Sequence, residues 1–272
     1  MKPVYNTILN ILNYKQSSCE NFKDNRCLQE RCNCRTYSEI WGHIGSTIPD
    51  VYHASTIQDF TGMYNGDVVL SPNLLRKSRD QIIKYCWQNI EPGEDYDYAS
   101  WFPRSIIDRR LLGGSSLIIY GNPWSSSVQF IKKKIGKTLI AAIVMKEAIF
   151  QRVKSERLAD TYAWVDYTLF INRLIENAKN GTYTEEINAY QDADWLVVDN
   201  IDFLKNNENG RQFRASVLDK FFSERFENNK PNILVFQDDI SKMSNLQYDF
   251  GVTMAAIINS RKSHHVALLE GK

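Results

Sequence analysis

At 272 residues, with 43% hydrophobic side chains and a formal net charge of +1, the chain can bury one substantial core plus a small appendage, and one domain of roughly 150–200 residues is the default. The balance of 33 basic against 32 acidic residues supplies no global field of the kind that marks a nucleic-acid or membrane binder, although local patches stay open to that use. No run approaches the roughly 18–20 apolar residues of a membrane span, and Met1-Lys2-Pro3-Val4-Tyr5-Asn6 lacks the basic start of a signal peptide, so a cytoplasmic location without membrane contact is expected.

Val4, Ile8, Leu9, Ile11 and Leu12 follow an approximately helical pattern ahead of Cys19, Cys27, Cys32 and Cys34. Four thiols so close together suggest metal before disulfides in a reducing compartment. They suffice for a tetrahedral Zn2+ site, with His43 or His53 able to replace one of them. The spacing is not of the paired C-x2-C type, and the alternative is reduced cysteines in a flexible arm. Cys86 sits among apolar residues and reads as a small core hydrophobe. Residues from Ile48 to Phe60 read as an extended lead-in, and Asn73 to Asn89 as a helix whose inner side carries Leu74, Leu75, Ile82, Ile83 and Trp87. Pro92-Gly93-Glu94-Asp95 is a turn. The expected division is a cysteine-rich module over 1–47, a linker and helical lead-in over 48–115, and the main domain over 116–272.

That domain opens with a buried strand, Ser116 to Tyr120, running into Gly121-Asn122-Pro123 and resuming at Gly136-Lys137-Thr138-Leu139. A strand, a glycine-bounded loop and a helix starting Gly-Lys-Thr are the grammar of a nucleotide phosphate site. Backbone N–H groups and the helix N-terminus face the phosphates, a Lys reaches the terminal oxygens and a Thr hydroxyl joins Mg2+. Fourteen residues separate Gly121 from Gly136, far more than such a loop needs, so an insertion over 124–135 is expected. The helix is predicted to reach about Arg152, with Leu139, Ile140, Ile143, Val144 and Ala148 on one face.

Further along come a strand over Thr161 to Val165 and a helix from Tyr167 to Asn177 stopped by Gly181. A second helical stretch, Thr184 to Tyr190, leads to Ala193-Asp194-Trp195-Leu196-Val197-Val198-Asp199-Asn200. This last run is a buried parallel strand that delivers a carboxylate at its C-terminal end, where ligands bind in open α/β sheets. Gln212 to Asn228 is amphipathic, with Val217, Leu218, Phe221, Phe222 and Phe226 expected inward. Asn232 to Gln237 is another buried strand with a polar tip. A helix from Tyr248 to Asn259 precedes Arg261, and a last strand covers His265 to Leu269. Strands alternating with helices after residue 115 predict an α/β fold with a parallel sheet, and the phosphate loop, Asp199 and Gln237 occur in the order of a P-loop ATPase core.

Together these pieces resemble the AAA+ helicase loaders of bacterial and phage replication, of the DnaC/DnaI type, with the transposition helper IstB as a relative. The resemblance covers about residues 48–269. It lies in Ile48-Pro49-x-Val51-Tyr52 with Asp59-Phe60, in Gly136-Lys137-Thr138-Leu139-x-Ala141-Ala142, in Ala193 to Ile201, and in Arg225-x4-Lys230-Pro231-Asn232-Ile233. The cysteine-bearing segment is similar to the zinc-containing, helicase-contacting module of the DnaI branch.

The resemblance implies binding of ATP, Mg2+ and single-stranded DNA by the C-terminal domain, and contact with a hexameric replicative helicase through residues 1–47. Lys137 is implied to contact the β- and γ-phosphates, Thr138 and Asp199 to hold Mg2+, and Gln237 to stand at the sensor-1 position. Arg261 is implied to be an arginine finger acting on a neighbouring subunit's ATP, which makes the active form a homo-oligomer. Asn200 departs from the pattern, in which an acid follows the metal-binding Asp and activates water. Hydrolysis is therefore expected to be weak unless Asp202 substitutes, and ATP to act as a switch. No helical lid with a sensor-2 arginine is expected. Lys132-Lys133-Lys134 with Lys146, Arg152, Lys154 and Arg157 are candidates for DNA phosphates, and Tyr162, Trp164, Tyr167 and Phe170 for base stacking, with core packing the stronger reading of Trp164 and Phe170. The alternatives are a non-hydrolysing adaptor with a degenerate ATPase fold and an IstB-like transposition helper.

Overall fold

Five apolar runs pair in parallel as the main sheet of the molecule. The structure, a computed structural model, describes residues 22–23, 26–27, 40, 42–53, 55–64, 67–68, 70–91, 93–95, 98–121, 136–154, 161–181, 184–202, 208–243 and 245–268. The strands are β1 (Leu117–Gly121), β2 (Tyr162–Asp166), β3 (Trp195–Ile201), β4 (Asn232–Phe236) and β5 (His264–Leu268), in the spatial order β2-β3-β4-β1-β5. Every pairing is parallel, as the alternation of strands and helices predicts.

The two-residue period of a strand splits this apolar sequence between two cores. Leu117, Ile119, Trp195, Val197, Ile233 and Val235 belong to one. Ile118, Leu196, Val198, Leu234 and Phe236 belong to the other. The second face is covered by α4 (Tyr167–Asn180), α6 (Glu208–Glu227) and α8 (Val252–Asn259), through Phe170, Leu174, Leu218, Phe221, Phe222, Met254 and Ile258. The short α5 (Glu185–Asp192) joins them through Ile187.

The first face has one crossover helix, α3 (Lys137–Lys154). Five strands about 4.8 Å apart are wider than one helix of ~10 Å, so a single helix leaves part of that face bare. The lead-in supplies the remaining cover. Ile48, Ile57 and Phe60, α1 (Pro72–Cys86) and α2 (Ile107–Leu112) share one core with α3, and Ile40 and Ile44 join it. Ser71 caps α1 by accepting the Leu74 N–H, and Pro72 occupies a first-turn position where no N–H is needed. Gln81 of α1 accepts the Ala267 N–H at 3.3 Å and so satisfies one donor on the outer edge of β5. Cys86 is fully buried, in line with its reading as a core hydrophobe.

Several local expectations are corrected. Lys146 is not free for DNA: it is buried, and its Nζ donates to the carbonyls of Tyr52, His53 and Ser55, tying α3 to the lead-in. Its neighbour Glu147 is buried too, which pushes its carboxyl up to about 7, and it is bonded by Gln151, Ser105 and Trp87. The helix expected over Tyr248 to Asn259 is two helices, α7 (Leu246–Phe250) and α8, broken at Gly251. Gly251 has φ +86°, and a Cβ there would lie 2.7 Å from the Ala215 carbonyl of α6, so the chain turns where only glycine fits. Phe226, expected inward, is 51% exposed. Arg225, within the stretch that carries the resemblance, donates to five oxygens, four of them main-chain carbonyls.

Candidate nucleotide site

The C-terminal ends of parallel strands gather on one edge of the sheet, and the order β3-β4-β1 brings Asp199, Gln237 and Gly121 to neighbouring positions there. Gly121 closes β1 against β5, and a Cβ at this position would run into the Leu268 carbonyl. After the inserted segment the chain returns at Gly136, with φ +88° and its Cα against the Phe60 ring. A Cβ would stand 2.9 Å from that ring, so this glycine lets the lead-in close over the start of α3.

The first two residues of α3 point into the site. Lys137 is only 8% exposed, and its Nζ donates to the Gln237 carbonyl at 2.6 Å and the Gly121 carbonyl at 3.4 Å. The Thr138 hydroxyl donates to Asp199 Oδ1 at 3.3 Å. Residues 61 and 100 positions apart in sequence are thereby joined across β1, β3 and β4.

Asp199 is 4% exposed. Burial pushes its carboxyl from an ordinary 3.8 up to about 6, against the pull of the Asn200 N–H and the Thr138 hydroxyl; the Asp166 charge adds to the rise and Lys137 opposes it. A hydroxyl and a desolvated carboxylate are hard oxygen donors, the set that Mg2+ takes beside nucleotide phosphates, so the residues fit the ion. They would hold it at Thr138 and Asp199, where it supplies charge neutralisation for the phosphates.

The raised value has a consequence for stability. The charged form is the one disfavoured, so the cost is absent below about pH 4, grows as pH rises and is complete above about 6. It amounts to roughly 3 kcal/mol. Asp199→Asn keeps an oxygen for both donors and removes the charge. In nucleotide-free protein at pH 8 the variant is expected to melt roughly 5–10 °C above wild type by differential scanning fluorimetry, with the gain vanishing towards pH 4. An Asn variant that melts no higher than wild type at pH 8 contradicts the buried-charge account.

Asn200 sits where β3 loses register with β4, at φ +61°, a left-handed conformation that asparagine tolerates. Its N–H donates to Asp199 Oδ1 at 2.8 Å, its Nδ2 donates to Asp166 Oδ2 at 2.9 Å, and its Oδ1 accepts from Gln237 Nε2 at 2.5 Å. Asp166, at the tip of β2, is the residue the sequence reading missed. The strand was expected to stop at Val165, yet it extends one residue further and pairs Asp166 with Asp199. The signal that singled out Asp199, an acid closing an apolar run, applies equally to Asp166, which the next helix follows directly.

Other expected residues lie elsewhere. Arg261 is exposed in the turn before β5, at the opposite edge of the sheet from Lys137, and takes no part in this site. Asp202 acts through its charge on the buried Tyr167 hydroxyl, whose other charged neighbours are Arg214 and Asp249. Tyr167 and Phe170 are core residues, Trp164 packs against the first core, and the Tyr162 ring meets His43 edge-on at 5.4 Å. Leu139 is partly buried on α3 beside the site residues. Asn122, Pro123, the three lysines at 132–134, and the zinc group of Cys19, Cys27, Cys32 and Cys34 fall outside the described residues, save the backbone of Cys27. Among the described residues no group of three or more His, Cys, Asp or Glu is arranged to hold a metal ion, and none of the described helices is long and apolar enough to cross a membrane.

No protein-family model matches the chain, and no curated protein matches it in sequence. Solved structures do. The DnaI structure is 14% identical, with a TM-score of 0.39, covering 71% of this chain and 91% of that one. AMPPCP-bound DnaA from Aquifex aeolicus is 18% identical, with a TM-score of 0.39, covering 68% of this chain and 50% of that one. The chain is similar likewise to the DnaC helicase loader, at 14% identity and a TM-score of 0.44, over 69% of its own length and 98% of the loader's.

Proposed function

We propose that the chain is an ATP-binding helicase loader of DNA replication, which delivers a hexameric replicative helicase onto single-stranded DNA and uses nucleotide state as a switch. The observation that supports it best is the meeting of Lys137 and Thr138, at the start of one helix, with Asp199 and Gln237 at the tips of two strands. A buried cation, a hydroxyl and a desolvated carboxylate beside a helix N-terminus suit a triphosphate and its Mg2+. The loader role follows the resemblance stated above. Arg261, exposed on the far edge of the sheet, suits a finger offered to a second copy, which makes the ATP-bound form a homo-oligomer.

The test is co-purification of the full chain with a hexameric replicative helicase in the presence of ATP and Mg2+. Retention of the helicase is expected, with loss when residues 1–47 are removed. Helicase that never co-purifies, or that binds equally without those residues, sinks the loader reading and favours a transposition helper. A second reading, an adaptor that no longer uses nucleotide productively, is favoured by Asn200 alone, and measured ATP affinity separates the two.

A further inference from the structure

The acid missing from position 200 has a counterpart across the strand pair. Asp166 Oδ1 accepts the N–H groups of Thr168 and Leu169 at 3.0 and 3.4 Å, which caps α4. Its Oδ2 accepts Asn200 Nδ2 at 2.9 Å. An ionised carboxylate offers about four lone-pair sites, so these three bonds leave one acceptor position, and Asp166 is solvent-exposed. Asn200 has its amide engaged at both ends, by Asp166 and by Gln237. Its left-handed backbone directs it to that bridging place, where an acid would face Asp166 without a proton between them. The two positions are complementary only as one acid and one amide, and here the acid is on β2.

We infer that Asp166 is the residue that holds the attacking water in ATP hydrolysis at this site, in place of Asn200; this rests on the nucleotide reading above. The water oxygen bonds to Pγ as the bond from Pγ to the β,γ-bridging oxygen breaks, and that electron pair leaves with ADP. Both hydrogens of the water end on the inorganic phosphate. Asp166 accepts a hydrogen bond from the water and gains no proton, so its contribution is orientation of the nucleophile. Asn200 and Gln237 are positioning residues. Their amide chain fixes which way Asp166 and Gln237 face.

The full chain is tested with three readouts: affinity for a fluorescent ATP analogue with Mg2+, melting temperature, and single-turnover hydrolysis of ATP. Asp166→Asn is isosteric, and asparagine caps helices about as well as aspartate, so folding is preserved. Its turnover is expected to fall about 100-fold through loss of that orientation, with affinity within about two-fold of wild type. Asn200→Asp alone sets two carboxylates against each other and is expected to lower the melting temperature without raising turnover. The exchange Asp166→Asn with Asn200→Asp restores one acid and one amide, and turnover is expected to return to within about ten-fold of wild type. Turnover unaffected by Asp166→Asn, an exchange as slow as the single variant, or a wild type that binds ATP and never hydrolyses it overturns the inference alone. A wild type that does not bind ATP overturns the nucleotide reading with it.

Discussion

Lys137→Ala is expected to weaken ATP binding by at least about 100-fold, as measured by calorimetry or by a fluorescent ATP analogue with Mg2+. The side chain is the one cation among the described residues that the fold holds in the floor of the site, with its Nζ between the ends of β1 and β4. A triphosphate brings several negative charges to a region walled by the first core, where a charge-assisted contact is about twice as strong as a neutral one. A loss of about 3 kcal/mol corresponds to that factor. Truncation also strips the Gly121 and Gln237 carbonyls of a donor, so the nucleotide-free variant should melt a few degrees lower as well. Lys137→Met separates the two effects, because it keeps the buried stem and removes only the charge. Equal ATP affinity in wild type and both variants would falsify the phosphate role.

The largest expected effect on stability belongs to Arg225. It is fully buried on α6, and burial pulls its guanidinium down to about 9. Its Nε donates to Asn232 Oδ1 at 2.7 Å. One terminal nitrogen donates to the carbonyls of Tyr190, Gln191 and Ala193 at 3.0, 3.0 and 2.6 Å, and the other to Pro231 at 2.9 Å. The planar fork thus staples the end of α5 and the entrance to β3 against the start of β4. Lys230 repeats the staple on a smaller scale through the Asp192 carbonyl at 2.6 Å.

Arg225→Ala leaves those acceptors in a dry interior without donors, and a destabilisation of roughly 3–5 kcal/mol is expected, a fall of about 10–15 °C in melting temperature. Arg225→Lys should recover little of it, since an ammonium is a point charge and cannot span the fork. Thermal melts of the three proteins decide the matter. An alanine variant within about 2 °C of wild type rules out the staple.

Much of this molecule can be read along its chain. The apolar runs over β1, β3 and β4 predict buried parallel strands, because both faces of such a sheet are covered and side chains of either parity must be apolar. Gly136-Lys137-Thr138 and Asp199 are legible as a candidate phosphate site from local chemistry alone, and the fold brings Lys137, Thr138 and Asp199 together. The helix expected over Asn73 to Asn89 follows from its apolar period and is found over Pro72–Cys86, ending before Trp87. Boundaries fail where a distant neighbour sets them. The break at Gly251 exists because α6 approaches its backbone, and Phe226 faces outward although the amphipathic pattern of α6 had placed it inside.

Periodicity reports which side of an element is buried and is silent on which element lies beside it. Lys146 illustrates the limit. On a helical wheel it is a charge free for DNA, and only the packing of the lead-in onto α3 turns it into a buried donor to three carbonyls. Arg225 is the same case, since its acceptors come from segments up to 35 residues away. The sequence by itself determined the parallel α/β core and the residues Lys137, Thr138 and Asp199, because strand period and helix-start chemistry are local. The tertiary structure alone decided the chain Asp166, Asn200 and Gln237: the order β2-β3-β4 sets three strand tips side by side, and hydrogen bonds across 34 and 37 residues form only once the sheet has closed.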